Sequence, residues 1–93
     1  MDKAEFERSL RADGYQQIET KSVAPKTHND AHEHPFDVKA LVLDGQIALM
    51  VGNESRTYRP GDVFTMAAGC KHVEDIGAEG VRYIVGRRRA PSA

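Results

Sequence analysis

The sequence predicts an all-β domain, an antiparallel sandwich or barrel preceded by one short helix. Two observations carry this reading. Six or seven short runs of strand-forming residues recur at close spacing after Gly14, and glycine-containing turns separate them. With 93 residues there is room for one core, so residues 1–93 form a single domain. Its expected parts are a helix over 1–14, a barrel over 15–86 and a C-terminal tail over 87–93.

The helix comes first. Asp2 is a capping residue and Glu5 stands three positions later, the capping-box arrangement. Phe6 and Leu10 lie one turn apart on one face, and Gly14 suits the position just past a helix end. So short a helix is marginal alone and must pack through Phe6 and Leu10.

Residues 15–24 (YQQIETKSVA) form a polar strand ended by Pro25. Residues 26–35 are a polar stretch without helical period. Residues 36–43 read as a strand, Asp44-Gly45 as a two-residue hairpin turn, and 46–51 as the returning partner. Gly52-Asn53 marks the next turn. Pro60-Gly61 suits a type II turn, and Pro60, Gly61 and Asp62 take a structural role there. Short strands follow at 63–66, 72–76 and 81–86, with turns at 67–71 and 77–80. The strand from 38 to 43 is apolar on both faces, with Val38, Ala40 and Val42 on one and Leu41 and Leu43 on the other. A sheet with one wet face alternates more cleanly. Both faces must be covered, by a second sheet and the helix or by a second subunit, and a homodimer is expected.

The composition excludes several classes of function. A formal net charge of −1 provides no basic field for nucleic acid or anionic membrane. The one basic run, Arg87-Arg88-Arg89, reads as a solvated tail. A single cysteine, Cys70, rules out an internal disulfide framework and fits a reducing cytoplasm. No apolar leader and no long apolar stretch is present, so secretion and membrane insertion are not expected.

The residues that carry chemistry are histidines: His28, His32, His34 and His72. His32 and His34 are two apart, so in an extended segment both imidazoles project to the same side. A third histidine from a neighbouring strand can complete a set of nitrogen ligands for a divalent transition metal. An isolated HxH is more often a pair of polar surface residues at the mouth of a strand than a ligand pair. Phe36, Met50, Phe64, Met66 and Tyr83 are candidates to line a pocket, or to be plain core.

From His32 onward the sequence resembles the cupins, small barrels with two signature segments. His32-Glu33-His34 and Gly45 match the first, and PGDVFTMAAGCKH (60–72), with Gly61, Gly69 and His72, is similar to the second. The resemblance spans about residues 28–86. It implies an antiparallel double-stranded β-helix, or jelly-roll, barrel. It also implies a metal site on His32, His34 and His72 for zinc, iron, manganese or nickel, and a small-molecule ligand.

The chain departs from the signatures where a fourth ligand is usual. Val38 stands at the glutamate position, Ala67 at a usual proline and Ile76 at a usual asparagine. Glu74, His28, Asp37, Cys70 or a water are the alternatives for that ligand. Asp37 has the wrong strand parity, whereas Glu74 shares the parity of His72. Glu74 is otherwise a surface carboxylate at a strand edge. The resemblance extends to the effector-binding arms of AraC-type regulators, without their DNA-binding part, so direct nucleic-acid binding is not expected. Two functions follow as expectations: a metal-binding cupin that binds or converts a small molecule, or a non-catalytic small-molecule sensor, with or without metal. Cupins include both enzymes and binding proteins, and fold alone does not decide between them.

Overall fold

In a computed structural model, which describes residues 1–89, helix α1 spans Lys3–Ala12. Asp2 caps it, its carboxylate accepting from the Glu5 amide at 2.8 Å. At the other end the Gly14 amide donates to the Arg11 carbonyl and the Tyr15 amide to that of Leu10. This pair of bonds is the Schellman motif that a glycine after the helix favours.

Six strands follow: β1 Gln16–Val23, β2 His28–His32, β3 Phe36–Val51, β4 Glu54–Tyr58, β5 Val63–Met66 and β6 His72–Arg89. All pairings are antiparallel. Strands β3 and β6 are long, pair along their length, and each contributes to two layers. In the first layer β1 pairs the C-terminal half of β6, which pairs the N-terminal half of β3, which pairs β5. In the second, β2 pairs the start of β6, which pairs the end of β3, which pairs β4. Val38, Ala40, Phe64 and Val85 of the first layer share one buried cluster with Ile47, Leu49 and Ile76 of the second, so the layers face each other. This is the expected jelly-roll barrel.

The expected hairpin at Asp44-Gly45 is absent. β3 runs through it as one strand, and β6 likewise runs through the expected turn at 77–80. The register shows why. Gly45 pairs Val81 and Ile47 pairs Ile76, so residues 77–80 stand opposite Gln46 alone. That bulge bends both strands from one layer into the other. Gly45 has φ +73°, and a Cβ there would lie 1.9 Å from the Gly80 carbonyl oxygen. A glycine with positive φ marks either a reversal or a bend. Here the close approach of two backbones makes it a bend. The turn at Pro60-Gly61 forms as expected, with the Gly61 amide bonded to the Val42 carbonyl and the Arg59 amide to the Asp62 carboxylate.

The two-sided apolar character of β3 is explained within one chain. Val38, Ala40 and Val42 face the barrel interior, while Leu41 packs with Phe6, Leu10, Tyr15 and Ile84 under α1. The polar stretch before β3 contains strand β2, and β4 extends the segment leading to Pro60.

The basic run is not a solvated tail, because β6 continues to Arg89. Arg87 lies over the Phe36 ring at 5.3 Å. Arg88 stacks on Tyr15 at 4.6 Å, bonds the Asp37 carboxylate at 3.0 Å and donates to the Asp13 carbonyl. One guanidinium therefore ties the end of α1 to the barrel. Residues 90–93 of the expected tail lie outside the described residues.

Candidate metal centre

Two local structures deliver the histidines. β2 ends at His32, and the chain crosses through His34 into β3, with the His34 carbonyl accepting from the Gly69 amide at 2.8 Å. His72 opens β6 and pairs His32 across the ladder. The turn at 67–71 thus fastens the second histidine segment to the first. One ligating atom from each of His32, His34 and His72 lies within 4.8 Å of the others. The His32 and His72 rings are 4.3 Å apart, and His34 stacks on Phe36 at 5.1 Å and 10°.

Tautomers follow from the partners. His32 Nδ1 is 2.7 Å from the Asp30 carbonyl oxygen, and His72 Nδ1 is 3.0 Å from that of Cys70. A carbonyl only accepts, so each Nδ1 carries a proton and donates it. In the neutral ring each Nε2 then keeps its lone pair, the state in which histidine binds metals. In both cases the orienting carbonyl belongs to the residue two before the histidine. Burial pushes the His34 imidazole below the ordinary histidine range, and the neighbouring His32 and His72 add to that. His34 is therefore a neutral nitrogen donor at pH 7. The donor set fits a borderline divalent ion.

The residues expected as alternatives for a fourth ligand differ in what they already bond. Asp37 accepts from the Ala68 amide at 2.9 Å and from Arg88. The first bond, then the second, holds its carboxyl below the usual carboxylate value. It serves the fold on the other face. His28 sits outside the cluster, its ring between Asp75 and Asp30, with its pKa raised chiefly by the hydrogen bond to Asp75. Cys70 contributes its carbonyl to His72. Val38 is buried beside Met66.

Glu74 is different. It is largely buried, with one oxygen 3.2 Å from His72 Nε2 and 3.8 Å from His32 Nε2. The other oxygen accepts from the Asn29 side-chain amide at 2.9 Å. The surface reading of Glu74 is overturned. Its parity with His72 was the signal for this placement. Asn29 carried none, because its role depends on the β2–β6 pairing.

The cluster lies against an open cavity of about 480 Å³. Phe36, Val38, Phe64, Met66 and Tyr83 line it, with Lys21 and Arg87 as its cations. Four of the five pocket candidates are thus in place, while Met50 is exposed on the other side of its strand. The Tyr83 hydroxyl is pushed up to about 12 by burial and then by the Glu74 charge, so it is a hydrogen-bond donor at neutral pH.

Residues 20–85 match the sequence profile of the Cupin domain family. The chain is a cupin. Curated proteins give no sequence match. Solved structures give many. A protein of unknown function from Rhizobium leguminosarum bv. viciae superposes with a TM-score of 0.73 at 21% identity, over 77% of this cupin and 68% of that chain. A cupin-2 domain containing protein from Shewanella frigidimarina gives 0.66 at 18%, over 77% and 69%. An oxalate decarboxylase variant from Bacillus subtilis gives 0.70 at 15%, over 92% of this cupin but 24% of the enzyme. At such identities the likeness is one of fold. Among the described residues no helix is long and apolar enough to cross a membrane.

Proposed function

We propose that this cupin holds a divalent transition metal on His32, His34 and His72 and binds or converts a small molecule in the adjoining cavity. The observation that carries this reading is the convergence of three histidine ligating atoms within 4.8 Å of one another beside that cavity. Zinc, iron, manganese and nickel all accept imidazole nitrogen. A bound ion supplies Lewis acidity toward a carbonyl or carboxylate oxygen.

The chain's own residues define what else enters. Phe36, Phe64 and Met66 offer an apolar wall, and the charged lining is mixed, with Lys21 and Arg87 beside Asp30 and Glu74. Tyr83 offers a hydroxyl that stays protonated. This pattern suits a small molecule with an apolar body and a carbonyl or carboxylate oxygen that the metal and the Tyr83 hydroxyl would engage. The proposal places the protein in the cytoplasm, as its single unpaired cysteine favours. It also includes a homodimer, for which exposed Met50, Val51 and Val63 supply apolar surface, and sedimentation measures it.

Elemental analysis of untagged protein, purified without chelator, tests the metal reading. Stoichiometric metal is expected in the native protein and its loss in His32→Ala and His72→Ala. Native protein that contains no metal, and that is not stabilised by added zinc, manganese, iron or nickel, sinks the proposal. Metal binding without turnover across a panel of carbonyl and carboxylate substrates selects the sensor reading over the enzyme.

A further inference from the structure

Two of the three clustered histidines are oriented by hydrogen bonds and the third is not. His32 Nδ1 lies 2.7 Å from the Asp30 carbonyl oxygen, and His72 Nδ1 3.0 Å from that of Cys70. Among the described residues no hydrogen bond holds either ring nitrogen of His34. Its ring lies against Phe36 instead, with centroids 5.1 Å and planes 10° apart. We infer that Phe36 is a positioning residue of the metal centre, holding the His34 imidazole in its ligating orientation by stacking. The inference rests on the three-histidine reading above.

An imidazole needs such a restraint. The torsion that turns it about its Cβ–Cγ bond is broad and roughly twofold. A free ring at position 34 would sweep its nitrogens away from the point where His32 and His72 converge, and ordering it on binding would cost affinity. A hydrogen bond to the second nitrogen is the usual restraint. A near-parallel stack serves as well. It fixes the ring plane and leaves only the half-turn that exchanges nitrogen and carbon edges, between which coordination decides. The other ring neighbours of His34 are His32 at 5.0 Å and 75° and His72 at 5.4 Å and 50°, both members of the ligand set. Phe36 supplies the aromatic contact from outside it.

Phe36 is itself anchored. His34 precedes Pro35, whose ring biases the residue before it to extended backbone. In an extended segment His34 and Phe36 project to the same side. The Gly69 amide pins the His34 carbonyl at 2.8 Å. Across the ladder Phe36 pairs Arg89 and Val38 pairs Arg87, so Arg87 reaches the ring on the diagonal. Its guanidinium carbon stands 5.3 Å from the ring centroid, a cation–π contact. The stack thus ties a ligand from the β2–β3 crossing to the end of β6.

The test compares the full chain with Phe36→Leu, Phe36→Tyr, Phe6→Leu and His34→Ala. Phe36 borders both the metal cavity and a neighbouring recess of about 390 Å³, so the hydroxyl of Phe36→Tyr has room. Zinc affinity is measured by competition with a chromophoric chelator, and the absorption spectrum of the cobalt(II) form is recorded. Proton NMR of the metal-free protein reads the His34 ring, whose protons are displaced by the ring current of a stacked neighbour. Phe36→Leu is expected to lose about 5-fold in zinc affinity, the middle of what an aromatic pair supplies, with an altered cobalt spectrum and no ring-current displacement. Phe36→Tyr is expected to keep all three. Phe6→Leu, remote from the site, is expected to lower urea stability at native zinc affinity.

Native affinity and cobalt spectrum in Phe36→Leu overturn the inference and leave the three-histidine site standing. So does an equal loss in Phe36→Tyr, which restores the stack, or an equal loss in Phe6→Leu, which would trace the effect to stability. Undetectable zinc binding by the native chain, or undiminished binding by His34→Ala, overturns the three-histidine reading and this inference with it. Where Phe36→Leu does not fold, Phe36→Met takes its place.

Discussion

The barrel has two buried regions that differ in what they are built to hold. Outside the first layer, Phe6, Leu10, Tyr15, Leu41 and Ile84 form a cluster sealed under α1, and Phe6, Leu10 and Ile84 are wholly inaccessible. Inside, the apolar core of Val38, Ala40, Val42 and Phe64 gives way at one end to a cavity, three imidazoles and a carboxylate. The same two strands serve both. Alternate residues of β3 face opposite sides, so Leu41 packs the helix while Ala40 and Val42 pack the barrel. The helix face is closed chiefly by apolar packing, with Arg88 tying its rim, whereas at the inner end the buried polar side-chain atoms among the described residues each have a partner. Stability and binding are thus carried by different faces of shared strands, and substitutions should separate them.

The largest effect is expected at the closed face. Phe6→Ala removes a fully buried ring that the helix cannot collapse to replace, and should cost about 3–5 kcal/mol in urea unfolding. Zinc affinity of the folded protein should stay native, because no residue of that cluster touches the histidines. A parallel loss of zinc affinity would show that the two faces are one cooperative unit.

The bend is where the regions meet, so Gly45→Ala should damage both. Its φ of +73° alone imposes strain on the order of 1–3 kcal/mol on a side chain. The added Cβ would also force back the Gly80 carbonyl, 1.9 Å away, and so shift the β6 segment that leads from His72. Lower stability together with weaker zinc binding is the expected outcome. Unchanged zinc affinity would confine the bend's role to the fold.

That bend also marks the boundary of what could be read from the residues alone. The helix, its caps, the strands at 63–66 and 72–76, and the pairing of His32-His34 with His72 were all legible, because each depends on short-range pattern or on two matched segments. Asp44-Gly45 carried a hairpin signal that was locally sound. What cancelled it is Gly80, thirty-five positions away, whose backbone lies against Gly45. Arg87–Arg89 looked like a tail because their partners, Phe36, Asp37, Asp13 and Tyr15, are remote in sequence. Glu74 was only half legible. Parity placed it on the inner face, but the Asn29 side chain that holds it there is forty-five residues away.

The smallest effect sharpens the comparison within a single segment, where His28 and His34 lie six residues apart. His28 sits at an exposed edge between Asp75 and Asp30, whose hydrogen bonds raise its pKa above 6.5. His34 sits inside, where burial first and neighbouring imidazoles second lower it below 6.5. The folded state holds the His28 proton more tightly than the unfolded state does. Its stabilising contribution is therefore full below pH 6.5 and is lost as pH rises through the raised folded value. For His34 the unfolded state binds the proton more tightly. Stability linked to it is present above pH 6.5 and is lost as pH falls toward the lowered folded value. A proton NMR titration of the metal-free protein, assigned with His28→Asn and His34→Asn, should show His34 titrating below 6.5 and His28 above it. The same order should appear in the stability difference between each variant and the native protein, which shrinks with rising pH for His28 and with falling pH for His34. Coincident titrations would mean that neither the carboxylate pair at the edge nor burial in the interior governs its histidine.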